Sequence, residues 1–300
     1  MLQVRTQGPG HAFRYAPAAR TPRSLPPGQV RLLSQLAVAS ILVEEGPETN
    51  PLYTIDFHVM DLAGGFEVGL PGGFTCELVV RERRPVNARL DPLIMDFHDA
   101  VGVEQNGREN VTPNDFRISV PPYDIELGDA YKEPFRRTLE LSLQKTVVVE
   151  SDYRPAIALG ATVALLADDS FYSDAGDLEG SAYAGATKRF GRHYAHASIA
   201  WAWYASRDPI PLPFEDTLLT GALGWEWRPW DRHAFLLECM ISQGAVAGLG
   251  RMDRAANDLR LGYRLRRGAA ALELGLAENF LFHDNSADIV FHVALSYDLD

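Results

Sequence analysis

The sequence lacks the features that mark nucleic-acid-binding proteins, disulfide scaffolds and helical membrane proteins. The formal net charge of its 300 residues is −12, and no lysine- or arginine-rich run supplies the clustered positive surface that phosphate binding needs. Cys76 and Cys239 are its only cysteines, and their wide separation argues against a disulfide framework or a Cys-x-x-Cys metal site. The longest apolar run, residues 32–43, is too short for a membrane-spanning helix. We therefore expect neither a nucleic-acid partner nor a helical span.

The first residues also lack a secretory signal, because MLQVRTQGPGHAFRY has no apolar core and no cleavage motif after one. Two interpretations stay open: a cytosolic protein, or a mature chain whose signal peptide has been removed. In the second case, residues 1–27 are predicted to form a periplasmic or plug-like segment ahead of the first strand.

What the sequence has instead is alternation of apolar and polar residues from Arg137 onward. In TLELSLQKTVVV, residues 138–149, the leucines fall on one face and the polar residues between them on the other. The pattern recurs in residues 258–267, 271–279 and 288–299. Such strands occur in soluble β-proteins with one buried face and in membrane barrels, so alternation alone does not separate the two.

The lengths of the connections favour the membrane barrel. Short connections such as RFGR and RPWDR alternate with longer ones such as ADDSFYSDAGD and SRDPIPLPFED, as in outer-membrane barrels with short periplasmic turns and long extracellular loops. A first strand in residues 28–43 and a hairpin in residues 57–84 bring the total to about twelve strands, an even number. We predict an all-β fold, a single closed antiparallel transmembrane β-barrel of residues 28–300.

Aromatic and charged residues fit the two faces of such a barrel. Tryptophans near segment ends fit interfacial girdles, with core packing as the alternative; they are Trp201, Trp203, Trp225, Trp227 and Trp230. Charges on the polar side of the strands must be hydrated or paired inside the barrel. The predicted lumen charges are Glu226, Glu238, Glu273, Arg260, Arg264 and His196. Salt bridges that fill a narrow barrel are the favoured interpretation, ahead of a polar conduit.

Residues 85–133 interrupt the alternation and are predicted to form a helical insertion loop. Asp91 as N-cap, a first-turn proline and Gly102 as a stop predict a helix over Pro92–Val101. His98, Asp99 and Asp96 are the candidate catalytic residues of a lipid hydrolase. A regular helix places Asp96 and His98 about 200° apart, which argues against a shared metal ion. The favoured alternative is structural: an amphipathic helix whose acids pair with Arg108 or Arg89.

The same insertion resembles the central signature of a proteobacterial family of outer-membrane β-barrels known only by a domain-of-unknown-function label. The residues that match this signature are Ile94, Phe97, His98, Asp99, Gly102, Gly107, Arg108, Pro113, Asn114 and, offset by one, Phe116. A closing block is similar through Glu278, Asn279, Asp284, Asn285, Ser286, Asp288, His292 and Tyr297, and the first strand through Leu25, Pro26 and Gly28. The resemblance implies an outer-membrane barrel and no established activity.

The leading functional hypothesis is therefore a non-enzymatic outer-membrane barrel, either a small-solute channel or a structural barrel closed by side chains. Its expected partners are the lipid bilayer, the barrel-assembly machinery and a small solute or lipid ligand; no cofactor or metal is expected. The alternatives are an outer-membrane lipid hydrolase using His98 with Asp99, and a soluble β-barrel that binds an apolar ligand.

Overall fold

The computed structural model describes residues 1–22, 24–47, 51–102, 107–168, 175–204, 212–279 and 285–299. Most of them lie in long antiparallel strands. The strands are β1 (Val30–Glu45), β2 (Tyr53–Leu70), β3 (Phe74–Val86), β4 (Arg117–Val120), β5 (Ile125–Leu127), β6 (Arg136–Val148), β7 (Ala156–Leu166), β8 (Leu178–Phe190), β9 (His193–Tyr204), β10 (Thr217–Trp230), β11 (His233–Ser242), β12 (Ala256–Arg267), β13 (Ala270–Asn279) and β14 (Ile289–Leu299). The one α-helix of the described residues, α1, spans Asp91–Val101, and short 3₁₀ turns occupy Arg108–Asn110, Pro121–Tyr123 and Gly250–Asp253.

The long strands close into a barrel. Neighbours along the chain pair with each other, β3 pairs with β6 across the insertion, and β1 pairs with both β2 and β14. Without β4 and β5, this ring contains twelve strands. The prediction of a closed antiparallel barrel of about twelve strands with one helix is confirmed. The insertion additionally contains the β4–β5 hairpin, whose β4 extends the pairing of β2 at residues 54–56.

The outside of the barrel is an apolar belt. Outward side chains such as Leu141, Leu223 and Leu261 are exposed, while their inward neighbours on the same strands are largely buried. Trp225, Trp227 and Trp230 are exposed toward the short-turn end of the barrel, and Trp201 is exposed toward the long-loop end. This distribution suits a lipid contact bounded by aromatic residues at both interfaces. No helix among the described residues has the length and hydropathy needed to cross a bilayer.

The N-terminal segment lies inside the barrel. We call residues 1–22 the plug. Its first residues contact β11, β12 and β13 in the middle of the lumen, and a tight turn at the long-loop end is closed by a hydrogen bond from Ala12 N to Gly8 O (2.8 Å). The chain then returns to the short-turn end, where Gly28 N donates to Gly69 O (2.8 Å) just before β1 begins.

The long-loop end of the lumen is filled by apolar side chains. Phe13 of the plug packs edge-on against Phe135 with ring centroids 4.9 Å apart, and Phe57 packs against the same ring at 5.1 Å. Side chains from β2, the insertion and the other long loops complete this core; they include Ile118, Val120, Leu212, Phe214, Val246, Leu249 and Met252. We call this layer the apolar cap, because it closes the barrel at that end.

Candidate functional site: the plugged lumen

The predicted lumen charges all face the inside of the barrel, where they form paired networks. Arg264 is central, because it donates to Glu273 (2.6 Å) and to Glu226 (3.3 Å). Glu226 also accepts a hydrogen bond from Arg228, and the Nε2 atom of His196 lies 3.5 Å from one of its oxygens. Carboxylates with several cationic neighbours can stay ionised away from bulk water.

The two remaining charges contact the plug. Arg260 is fully buried, donates to Asp258 (2.7 Å), and donates from its other terminal nitrogen to the carbonyl oxygen of Val4 (2.9 Å). Glu238 accepts a hydrogen bond from the backbone N–H of Leu2 (2.5 Å). The wall charges thus bind the backbone of the plug as well as each other.

Two arginines of the plug form bidentate ion pairs with the wall. Arg5 donates through both terminal nitrogens to Glu140 on β6, at 3.0 and 2.5 Å. Arg20 donates in the same way to Glu77 on β3, at 2.9 and 2.7 Å. Paired parallel hydrogen bonds of this kind are among the stronger polar contacts in proteins. They fix the plug at two heights in the lumen.

The sequence interpretation did not assign these plug and wall residues to a site, although a compositional signal points to the plug. Residues 1–27 contain four arginines and no acidic residue, in a chain whose net charge is −12. A basic segment within an acidic barrel has carboxylates to pair with. The partners themselves could not be read from the sequence, since Glu77 and Glu140 resemble every other polar residue on an alternating strand.

Glycines in the wall make room for the backbone of the plug and of the residues that join it to β1. A Cβ atom at Gly185 on β8 would lie 2.4 Å from the carbonyl oxygen of Arg20, and one at Gly69 on β2 would lie 2.0 Å from that of Pro26. Neither contact is possible between unbonded atoms, so each strand needs glycine at these positions. The wall is therefore shaped to hold this segment.

Below the apolar cap, the plug leaves a polar cavity of about 400 Å³. Plug residues and inward side chains of the barrel line it, and its lining extends to Glu150, Ala156, Arg266 and Ala271 near the short turns. The cavity therefore lies in the half of the lumen away from the long loops. Polar lining and this size suit water and small hydrophilic solutes.

A second polar cluster fixes the helical insertion to the barrel. Asp91 is buried and accepts hydrogen bonds from His58 Nε2 (2.9 Å), from the backbone N–H of Asn114 (2.5 Å) and from Arg108. Arg108 is also buried and donates to Asp288 from the β13–β14 loop. Burial opposes ionisation of Asp91, yet the hydrogen bonds from His58 and Asn114 and the charge of Arg108 outweigh it and lower its pKa.

This cluster corrects two predictions about the insertion. Helix α1 begins at Asp91, its N-cap is Leu90, and no side chain caps it; Asp91 points into the cluster instead. The prediction that Arg108 pairs with Asp96 or Asp99 is also wrong, because Arg108 bridges Asp91 and Asp288. Gly102 ends the helix in the left-handed conformation with φ of 73°, as predicted.

The candidate catalytic residues do not converge. His98 is buried, and its Nε2 atom lies 3.4 Å from an oxygen of Glu278 on β13. Asp96 and Asp99 lie on the exposed side of α1.

Of the other signature residues, Ile94 is buried, Phe97, Gly107 and Asn114 are partly buried, and Pro113 and Gly102 are exposed. Asp284 of the closing block lies outside the described residues. Within the described ranges, no group of three or more potential ligands could hold a metal ion.

Comparison with known proteins identifies the family. Residues 1–299 match the model of a family described as a protein of unknown function, DUF3187. The chain belongs to the DUF3187 family. This confirms the resemblance to a barrel family known only by such a label. Curated proteins give no match to this DUF3187 chain.

Solved structures share the architecture of this DUF3187 protein. It is similar to the COG4313 outer membrane channel from Pseudomonas putida F1, with 14% identity, 92% of this chain and 97% of that chain covered, and a TM-score of 0.58. It is also similar to the NanC porin, with 7% identity, 89% and 100% coverage and a TM-score of 0.50. At these identities the likeness shows the fold, which is that of outer-membrane β-barrels.

Proposed function

We propose that this protein is an outer-membrane channel for small polar solutes, closed in this structure by its own N-terminal plug. One observation carries the proposal: the lumen is filled by a segment that is not part of the barrel wall and that is held by separable ion pairs. A purely structural barrel could fill its interior with wall side chains. Similarity of fold to outer-membrane channels supports the proposal without identifying a solute.

The contacts of the plug favour its release as a unit. Its two bidentate ion pairs, its hydrogen bonds and the packing of Phe13 in the apolar cap join it to the barrel, whereas the strands are held by their own ladders. Glu140 keeps a wall partner without the plug, since Arg81 Nε lies 3.4 Å from it. Charged wall groups that pair with each other can remain solvated once the plug moves.

Conductance in planar bilayers tests this function. The double variant Arg5→Gln/Arg20→Gln removes both bidentate pairs, and we expect its open probability to exceed that of the unmodified protein at least about tenfold, because each such pair contributes on the order of 1.5–3 kcal/mol. The control is Arg137→Gln, which removes two exposed ion pairs outside the lumen and should leave the conductance unchanged. A silent double variant with heat-modifiable gel mobility, which shows that it is folded, would establish a closed structural barrel instead.

A further inference from the structure

Arg20 is held in the wall as a bound guanidinium would be. Its terminal nitrogens donate to both oxygens of Glu77, and one of them lies 3.4 Å from Ser142 Oγ. The guanidinium carbon lies 5.6 Å from the centre of the Tyr183 ring. A bidentate carboxylate together with an aromatic ring is an arrangement that recognises guanidinium groups.

The three side chains that contact this guanidinium as described above come from the barrel wall. Glu77 lies on β3, Ser142 on β6 and Tyr183 on β8, so the site, which we call the Glu77 pocket, persists when the plug is absent. All three residues and Arg20 line the polar cavity. A solute in the cavity therefore has direct access to the pocket.

The two wall glutamates that form bidentate ion pairs with plug arginines differ in the wall partners that remain once the plug is released. Glu140 retains Arg81 of the wall, as described above. For Glu77, Arg20 is the sole cation within ion-pair distance among the residues that the structure describes. The side chain of Glu77 is 12% exposed while the plug is seated, and a carboxylate inside a barrel is stabilised by a nearby counter-charge. Release of the plug therefore leaves Glu77 without its paired cation, and a cationic solute could take the place of Arg20.

Tyr183 supplies a further polar group to the pocket. Tyr183 is only 6% exposed, and its hydroxyl has no hydrogen-bond partner within the described ranges. Buried hydroxyls normally find a partner. The pocket thus offers a carboxylate, an aromatic face and a free hydroxyl around one position in the cavity.

We propose that the Glu77 pocket binds the guanidinium group of a small cationic solute, and that Arg20 occupies the pocket as an internal substitute while the plug is seated. Use of the pocket during transport rests on the proposed channel function. Binding of a guanidinium group to the pocket does not rest on the channel function, because it requires only that the side chain of Arg20 be removed.

Titration calorimetry with ethylguanidinium as the probe tests the pocket in detergent-purified, full-length protein. Arg20→Ala empties the pocket, and we expect saturable binding at millimolar concentrations that is absent from the unmodified protein. Adding Glu77→Gln to Arg20→Ala should weaken binding at least tenfold. Ethylurea has nearly the same shape without the charge and should not bind to Arg20→Ala. Arg5→Ala is the matched control, since Glu140 keeps Arg81, and it should gain no comparable site.

The proposal would be overturned by equal binding of ethylguanidinium to Arg20→Ala and to Arg20→Ala/Glu77→Gln, or by binding of ethylurea as tight as that of ethylguanidinium. Absence of binding to folded Arg20→Ala would also overturn it. If Arg20→Ala does not fold, Arg20→Ser replaces it in the same comparisons. Failure of the channel would appear separately, as a silent Arg5→Gln/Arg20→Gln variant in bilayers, and would leave the calorimetric result standing.

Discussion

Single residues connect distant parts of this chain, and Asp91 is the clearest case. From a buried position on α1, it accepts three hydrogen bonds, from strand β2, from the 3₁₀ turn at Arg108 and from the backbone of Asn114. We expect Asp91→Asn to lower the free energy of unfolding by about 3 kcal/mol, because it leaves buried Arg108 with one carboxylate instead of two. Denaturant unfolding in lipid vesicles measures the change. Asp96→Asn on the exposed side of the same helix should change stability by less than about 0.5 kcal/mol.

A titrating residue makes plug seating depend on pH. His11 is buried, its Nε2 atom lies 2.9 Å from Gln243 O, and burial lowers its pKa from 6.5 to about 4 despite that hydrogen bond. Asp258 and Arg83 are the charged groups that act on the ring. The seated plug keeps His11 neutral, whereas a released plug binds a proton below pH 6.5. Release is therefore favoured as the pH falls from 6.5 to about 4, by up to about 1.4 kcal/mol per pH unit.

Bilayer conductance across this range measures the effect. Open probability of the unmodified protein should rise as the pH falls from 7 to 4, and His11→Gln should flatten that rise. An equally steep rise in His11→Gln would assign the pH dependence to another group.

At the scale of elements, the match between plug and wall can be tested without altering any charge. Gly185→Ala places a Cβ atom 2.4 Å from the carbonyl oxygen of Arg20, so the plug backbone must move away from β8. We expect this variant to raise the open probability in bilayers, as we expect for the Arg5→Gln/Arg20→Gln variant. Gly221→Ala on β10 is the matched control, because no atom lies within 4 Å of its added Cβ. Equal conductance of the two glycine variants would show that the wall is not shaped to hold the plug.

The elements also show how far the sequence could be interpreted. Alternation and connection length predicted the strands well because a lipid-facing barrel wall repeats every second residue. The hairpin in residues 57–84, for example, corresponds to β2 and β3. The plug has no periodicity, and its glycine grooves and ion pairs arise between residues far apart in the chain. The sequence likewise predicts a helix cap at Asp91, because the contact of Asp91 with Arg108 and the ion pair of Arg108 with Asp288 form only when the barrel closes.

For the whole molecule, the apolar belt predicts a depth-dependent cost of charge. Leu223 faces outward near the middle of β10 and is 67% exposed, whereas Phe190 faces outward at the short-turn end of β8. Leu223→Arg should destabilise the folded protein in vesicles by about 2–4 kcal/mol, and Phe190→Arg by at most about 1 kcal/mol. Reversible denaturant unfolding compares the two. A similar cost at both positions would contradict a bilayer-spanning belt, as would no cost at either.

The apolar cap and the polar cavity lie at opposite ends of the lumen, and this makes access to the protein one-sided. A hydrophilic molecule arriving at the short-turn end meets the polar cavity and its charged lining, while one arriving at the long-loop end meets packed phenylalanine rings. The closed protein would therefore exchange solutes with the compartment on its short-turn side and with no other. A blocker added on that side could reach Glu77 while the protein is closed, whereas the same molecule on the opposite side could reach it only after the apolar cap opens.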